Sequence, residues 1–254
     1  MIDLRCGDWR QVLQDVQQVD LLCVDAPYSA KTHAGHDRGS GLDAHKGNGK
    51  PYSATNTGGD ATPRRAIDYS AFTPADVTEF VDAWAPRCRG WMVSITDDVL
   101  FPVWRDAMER HNRQVFQDVV AIVSGMTVRL AGDGPSSWCL HIAVSRPRTR
   151  EFSKWGTLPG GYFGPAESQL VVGGKPRWLM SALVNDYSRP GDTIVDAFAG
   201  GATTLIAAHQ AGRHGIGAEL DPVTYAKAKA RCDAVLSQPL LFAEPAKTVS
   251  LLEP

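Results

Sequence analysis

Apolar positions along this chain fall into two alternating patterns: short continuous runs of strand length, and stretches where they recur every third or fourth residue. Residues 2–6 and 20–25 predict strands, with a short helix near 8–17 between them. "TPADVTEFVDAWAPRC" (73–88) has a threonine cap, a proline next to it and apolar residues at helical spacing, so it predicts a helix. Residues 90–97 predict a strand and 98–111 a helix; 116–125 and 137–146 predict strands that can pair. Then come a helix at 175–187, a strand at 191–198, a helix at 202–211, a strand at 214–219 and a helix at 221–236. Two stretches break the rhythm. Residues 29–70 are rich in Gly, Ser, Asn, Thr and Pro with no apolar period, and are far longer than an ordinary connection. Residues 147–174 are irregular, with Trp155, Tyr162 and Phe163 among glycines. Strands separated by helices predict an α/β fold: a doubly wound, Rossmann-like, mostly parallel sheet covered on both faces.

The 254 residues suit one such domain over 1–238, with insertions at 29–70 and 147–172 and a featureless tail at 239–254. No apolar run approaches the length that spans a bilayer, and the N-terminus lacks a basic-then-apolar layout. The expectation is a cytoplasmic protein with no membrane partner. Cysteines at 6, 23, 88, 139 and 232 show no paired spacing, which predicts free thiols. His33 and His36, with His45 nearby, have no cysteine or carboxylate at ligand spacing, so no metal is expected.

The net charge of −2 is unevenly spread. Residues 29–65 carry Lys31, Arg38, Lys46, Lys50, Arg64 and Arg65 against Asp37, Asp43 and Asp60, a net +3. Residues 145–178 carry Arg146, Arg148, Arg150, Lys154, Lys175 and Arg177 against Glu151 and Glu167, a net +4. The remainder sums to −9, so two basic segments on an acidic body suggest an anionic ligand. Charge alone allows two solvated loops equally well.

Two stretches carry candidate chemistry. In "VDAPYS" (24–29) a strand ends on the carboxylate of Asp25, then Pro27 stiffens the chain and Tyr28 presents a ring. A turn requires neither the acid nor the ring, although an acid can simply cap one. "TIVDAFAGGATTLIAAHQAGRHGIGAELDP" (193–222) runs strand, glycine turn, helix, strand, acid. Gly200 and Gly201 let backbone approach a ligand at a helix N-terminus, and Glu219 ends the next strand, where it can hold a ribose diol. The turn is not G-x-G-x-x-G, so a diphosphate cradle is incomplete. A nucleoside with a short non-phosphate tail fits, and S-adenosyl-L-methionine is one.

These segments resemble the DNA methyltransferases that modify exocyclic amino groups. "DAPY" (25–28) resembles their D-P-P-Y motif, "DAFAGGATT" (196–204) their cofactor motif, and "GDW" (7–9) their N-terminal G-D segment. "GGKPRWLM" (173–180) resembles their K-P helix and "GAELDP" (217–222) their ribose-binding strand end. The catalytic motif precedes the cofactor motif, the circularly permuted order of the beta group. The resemblance spans residues 2–235 except the two insertions.

It implies a permuted class I methyltransferase fold with a small recognition region made of loops. It implies S-adenosyl-L-methionine held by Asp8, Trp9, Lys175, Asp196, Phe198, Ala199, Gly200, Glu219 and Leu220. Catalysis is implied for Asp25, Ala26, Pro27 and Tyr28: the aspartate and the next backbone carbonyl accept the two amino hydrogens, and the tyrosine stacks on a flipped base. DNA contacts are expected from Lys31, His33, His36, Lys46, Lys50, Arg64, Arg65, Arg148 and Lys154. Two positions depart from the pattern. Ala26 replaces the first proline but still supplies a carbonyl, and Ala202 replaces the last glycine of the cofactor loop, where a methyl could crowd the methionine part. Asp as the first motif residue points to adenine N6. Cytosine N4, a non-catalytic nucleic-acid-binding module and a nicotinamide oxidoreductase are the alternatives. A bacterial host, a phage origin, a restriction partner and a homodimer all remain open expectations.

Overall fold

The computed structural model describes residues 1–39, 69–125, 138–149, 155–168, 170–171 and 173–237. Its centre is a nine-stranded sheet in the order β1 (Ile2–Cys6), β9 (His214–Glu219), β8 (Thr193–Asp196), β2 (Val19–Asp25), β3 (Cys88–Thr96), β6 (Cys139–Pro147), β5 (Val119–Ser124) and β7 (Gly161–Pro165). A ninth strand, β4 (Arg113–Val115), also pairs with β6. From β1 to β3 all neighbours are parallel; β6 runs antiparallel to β3, β4 and β5, and β5 pairs with β7 in parallel.

The apolar run of β2 is continuous because both of its faces are covered. Leu22 and Val24 point into a core with α3 (Pro74–Trp84) and α4 (Phe101–Arg110), built on Phe80, Trp84, Trp104 and Met108. Leu21 and Cys23 point the other way, onto Leu179, Leu183 and Val184 of α5 (Arg177–Tyr187) and onto α6 (Thr203–Gln210). A third cluster seats α7 (Pro222–Leu236) against α6 and Leu4 of β1. The sheet is therefore doubly wound.

The helix begins at 74 because Thr73 and Asp76 form a reciprocal capping box and Pro74 needs no partner for its nitrogen. On β9, a side chain at Gly217 would collide with Leu205, so this glycine lets α6 sit directly on the strand ends.

Four elements depart from the sequence expectation, the first being the short strand β4, which falls between an expected helix and an expected strand. α2 (Ala30–Gly39) lies inside the stretch expected to be irregular, and its sequence has no apolar stripe to announce it. β7 lies inside 147–174; only Gly164 along it is buried, and it packs where a Cβ would strike the Trp178 ring, so no apolar alternation marks it. The helix expected at 8–17 is a single turn, α1 (Trp9–Val12).

Where β2 meets β3, Gly90 has no room for a Cβ against the Asp20 carbonyl. Beside it the Arg113 guanidinium is buried and donates to the carbonyls of Cys88 (3.0 Å), Gly90 (2.5 Å) and Ser145 (3.3 Å) and to Ser145 Oγ (3.0 Å). Burial lowers its pKa, and it meets no carboxylate among those contacts. Arg113→Met should strand these acceptors and cost roughly 2–4 kcal/mol in chemical denaturation. A loss under about 0.5 kcal/mol, the scale of an ordinary surface change, would show the guanidinium is not the clamp.

Candidate active site

β2 leads to β3 on one side and β8 leads to β9 on the other, so a crevice opens between the carboxyl ends of β2 and β8. Acids crowd that edge. Asp25 ends β2, Asp196 ends β8, Glu219 ends β9, and Asp97 follows β3 by one residue. Asp8 follows β1 by two residues and caps α1 through Arg10 N (2.8 Å).

The segment after Asp25 is held by Asp97. Ser29 N (2.9 Å), Ser29 Oγ (2.5 Å) and Thr32 Oγ1 (2.6 Å) donate to Asp97 Oδ2, and Leu100 N donates to Oδ1 (3.0 Å). Burial alone would raise the Asp97 carboxyl, but these donors outweigh it and hold it below the usual carboxylate range. Phe72 N donates to the Tyr28 carbonyl at 3.0 Å, a second tether. Sequence reasoning missed Asp97. The signal was present: "SITD" ends a buried strand on an acid, as "LCVD" does.

Among the described residues, Asp25 has one ion-pair partner. Lys175 Nζ donates to its Oδ2 at 2.6 Å and to the Gly173 carbonyl at 2.9 Å. The two side chains are 23% and 10% exposed. Asp25 Oδ1 is shielded from solvent and meets no donor among the described residues. Burial raises the Asp25 carboxyl, and the Lys175 charge offsets part of that rise. The Tyr28 hydroxyl lies near enough to favour the carboxylate without closing a hydrogen bond of ordinary geometry. Lys175 Nζ also stands 5.0 Å from the Tyr28 ring centroid, so one ring face is already covered.

Asp196 is buried. Its carboxyl is pushed up to about 7, first by burial and then by Asp25 and Glu219; the Thr204 hydroxyl and Phe198 N–H pull against this. Glu219 is raised by burial, although Gly200 N (2.8 Å) and Asp221 N (2.9 Å) donate to its two oxygens. Tyr69, which the sequence reading did not single out, lies near Asp25 and Glu219. Burial and those two acids push its phenol up to about 12, and its ring meets His33 edge-on at 5.3 Å.

The glycine turn has φ +50° at Gly200 and +58° at Ala202. Ala202 is fully buried among Leu4, Leu205 and Ala228, so its methyl enters the core instead of crowding the cleft. It costs about 1–2 kcal/mol of left-handed strain at most, partly offset by that burial.

Other expected residues scatter. Trp9 is buried in the core against Phe80 and Trp84. Gly7 N donates to the Glu219 carbonyl (2.8 Å), which keeps the Asp8 turn beside β9. Phe198 packs on Phe72 and Phe80, Ala199 is buried with its N–H on the Ala218 carbonyl, and Leu220 is 65% exposed next to Glu219. Lys31 pairs with Asp98 at 2.9 Å, and Arg148 donates to Gln114 at 2.6 Å. The side chains of His36, Lys46, Lys50, Arg64, Arg65 and Lys154 lie outside the described residues. Trp155 stacks under Arg189 and Tyr162 donates to Asp186, and both pack against the α5-side core of the sheet. Among the described residues no cluster could hold a metal, and no helix is long and apolar enough to cross a membrane.

A cavity of about 520 Å³ adjoins the crevice, lined by Leu170, Val171, Gly174, Lys175, Gly201 and Thr203 among others. A Cβ at Gly201 would touch Leu170, Val171 and Arg231 at 3.6 Å, filling part of that cradle. The cavity wall also carries Glu167, Arg177 and Arg231, while the glycine turn, Glu219 and the other strand-end acids stand beside it.

Residues 165–230 match the family model described as DNA methylase. The fold is shared with M1.HpyAVI in complex with SAM (TM-score 0.64, 16% identity, 92% of this chain and 100% of that one). It is shared with TTHA0409 of Thermus thermophilus in complex with S-adenosyl-L-methionine (TM-score 0.60, 19% identity, 94% and 96%). PvuII DNA methyltransferase, cytosine-N4-specific, superposes with TM-score 0.60 at 11% identity over 95% and 88%. The chain thus shares the Rossmann-like fold of these methyltransferases, and its residues 165–230 are similar to the DNA methylase family model.

The raised Asp196 carboxyl carries a sign. Between an ordinary 3.8 and about 7, the folded protein keeps a proton that the unfolded chain has released. Stability should therefore fall as pH rises through that window and level off above it. Asp196→Asn removes this slope, so its stability relative to the wild type should improve from pH 5 to pH 8. Urea midpoints of the two proteins that ran parallel across this range would refute the assignment.

Proposed function

We propose that the chain is an S-adenosyl-L-methionine-dependent DNA amino-methyltransferase and that its target is adenine N6, with Asp25 and the Ala26 carbonyl as the acceptors of the amino group. The observation that carries this reading is the pairing of a half-shielded carboxylate, one oxygen unmet, with a glycine turn and a ribose acceptor across one topological switch point. The cofactor supplies an activated sulfonium methyl.

The residues supply the rest. An exocyclic amine is a poor nucleophile because its lone pair is delocalised into the ring. Asp25 Oδ1 and the Ala26 carbonyl can take its two hydrogens, which favours a more tetrahedral nitrogen and stabilises the growing positive charge. When bound, the cofactor would give its methyl to N6 and its sulfur would keep the bonding pair, while the Asp25 carboxylate would take the released N6 proton and pass it to solvent. Pro27 and the Asp97 tethers fix where the two acceptors converge. Tyr28 offers the ring face that Lys175 leaves open, and Tyr69 is a second ring in reach of a flipped base. Glu219 keeps lone pairs for ribose hydroxyls beyond its two backbone donors. The excess carboxylate of the crevice favours a cation there.

The basic insertions 29–70 and 147–172 are the DNA-facing part of this reading, with Lys31, His33, Arg148 and the cations outside the described residues as phosphate contacts. Incubation with cofactor and DNA, followed by nucleoside mass spectrometry, tests it: N6-methyladenine is expected. N4-methylcytosine would reassign the target, and no methylated base would end the proposal.

Asp25→Asn should slow transfer by about 10²–10³-fold, the scale for one transition-state hydrogen bond, and leave S-adenosylhomocysteine affinity nearly unchanged. Calorimetry showing affinity lost along with rate would move Asp25 to the cofactor. Glu219→Ala should weaken the same ligand by roughly 1–3 kcal/mol; an unchanged dissociation constant removes it from the ribose site. Removing Lys46, Lys50, Arg64 and Arg65 together should flatten the dependence of log K for DNA on log salt, by about 0.9 for each phosphate no longer neutralised. An unaltered slope would show that DNA is held elsewhere.

A further inference from the structure

The sequence places Lys175 among cofactor ligands, yet its ammonium meets Asp25 Oδ2 (2.6 Å), the Gly173 carbonyl (2.9 Å) and the Tyr28 ring (5.0 Å). The geometry points to Lys175 as the positioning residue of the acceptor: it pins Asp25 through Oδ2, holds it as a carboxylate, and leaves Oδ1 as the oxygen for the target amine. This rests on the methyltransferase reading above.

Four features carry the inference. Lys175 is almost wholly buried, and a buried ammonium is retained only where it is paired. It is fixed from its own side as well. Gly173, at φ +79°, turns its carbonyl onto the ammonium, and Pro176 starts α5 immediately after the lysine. The ion pair joins residues 150 positions apart, so the packing of α5 onto β2 sets the carboxylate's rotation. Finally, Oδ1 is shielded and unmet among the described residues, which is costly unless a donor arrives with the substrate.

The groups facing Asp25 explain why it needs a cation. Asp196 from β8 is a like charge, Cys23 and Tyr28 from its own strand and loop are neutral, and Tyr69 is a neutral phenol. All but Lys175 either disfavour the carboxylate or add no positive charge. A protonated Asp25 would offer the amine a donor where an acceptor is required. The proton leaving the methylated nitrogen passes to Oδ1.

The test uses the full chain with Lys175→Gln and Lys175→Arg. Single-turnover methylation of duplex DNA is followed across pH, binding of S-adenosylhomocysteine by calorimetry, and the Asp25 carboxyl by ¹³C NMR of aspartate-labelled protein, with Asp25→Asn to identify the signal. For Lys175→Gln the acid midpoint of both the rate and the NMR titration should move upward. The rate at neutral pH should fall roughly tenfold to hundredfold, while the ligand's dissociation constant changes less than about threefold. Lys175→Arg should keep the midpoint near the wild-type position, and it reads the same property if the glutamine variant is unfolded. An unmoved midpoint in Lys175→Gln, or a Lys175→Arg midpoint displaced upward, would overturn the proposal. So would a large loss of ligand affinity with the pH profile intact, since that would make Lys175 a cofactor ligand. Wild-type protein that methylates no DNA, together with a midpoint that still moves, would sink the methyltransferase reading and leave the coupling of the two side chains standing.

Discussion

Five neighbouring strands of one sheet deliver their acids to the same edge: Asp8, Glu219, Asp196, Asp25 and Asp97 follow β1, β9, β8, β2 and β3 in spatial order. Like charges at that density cannot all be ionised and solvent-free. The structure resolves the conflict separately at each one. Asp97 is surrounded by donors, Asp8 faces Arg10, Glu219 takes two backbone N–H groups, Asp196 is pushed towards its neutral form, and Asp25 receives Lys175. The backbone turns, the loop tethers and the lysine are all arranged around this one electrostatic constraint.

Much of the fold was legible because it lies in repeating patterns. The two-sided burial of Leu21 to Val24, the cap at Thr73 and the glycine turn before α6 each follow from local chemistry that a sequence displays. The missed elements carry no such pattern. α2 is polar all round, and β7 is held by a glycine that yields to Trp178. Trp9 packs its ring on Phe80, a contact no local pattern in the sequence announces. Within the site, strand-end acids could be read one at a time, whereas the Lys175–Asp25 contact depends on strand order. Nothing local at 173–176 announces which carboxylate the lysine will meet.

The departures from the family pattern have different fates. At Ala26 the chain loses a ring that would stiffen the loop, and the loop is instead held from outside, by Asp97 through Ser29 and Thr32 and by Phe72 through the Tyr28 carbonyl. At Ala202 the extra methyl is absorbed by the α6–α7 core at the cost of a left-handed backbone. One substitution is compensated by tethering and the other by packing.

The strand order also shapes how the sheet assembles. Among the described residues β1 pairs with β9, through pairs such as Ile2 with Gly215, and β2 is flanked on one side by β8. During synthesis β1 and that edge of β2 therefore wait unpaired until β8 and β9 have emerged. Loops of this length are slow to close. The two halves of the crevice must then appear together, so a partly synthesised chain would bring neither Asp25 beside Asp196 nor Glu219 beside the glycine turn.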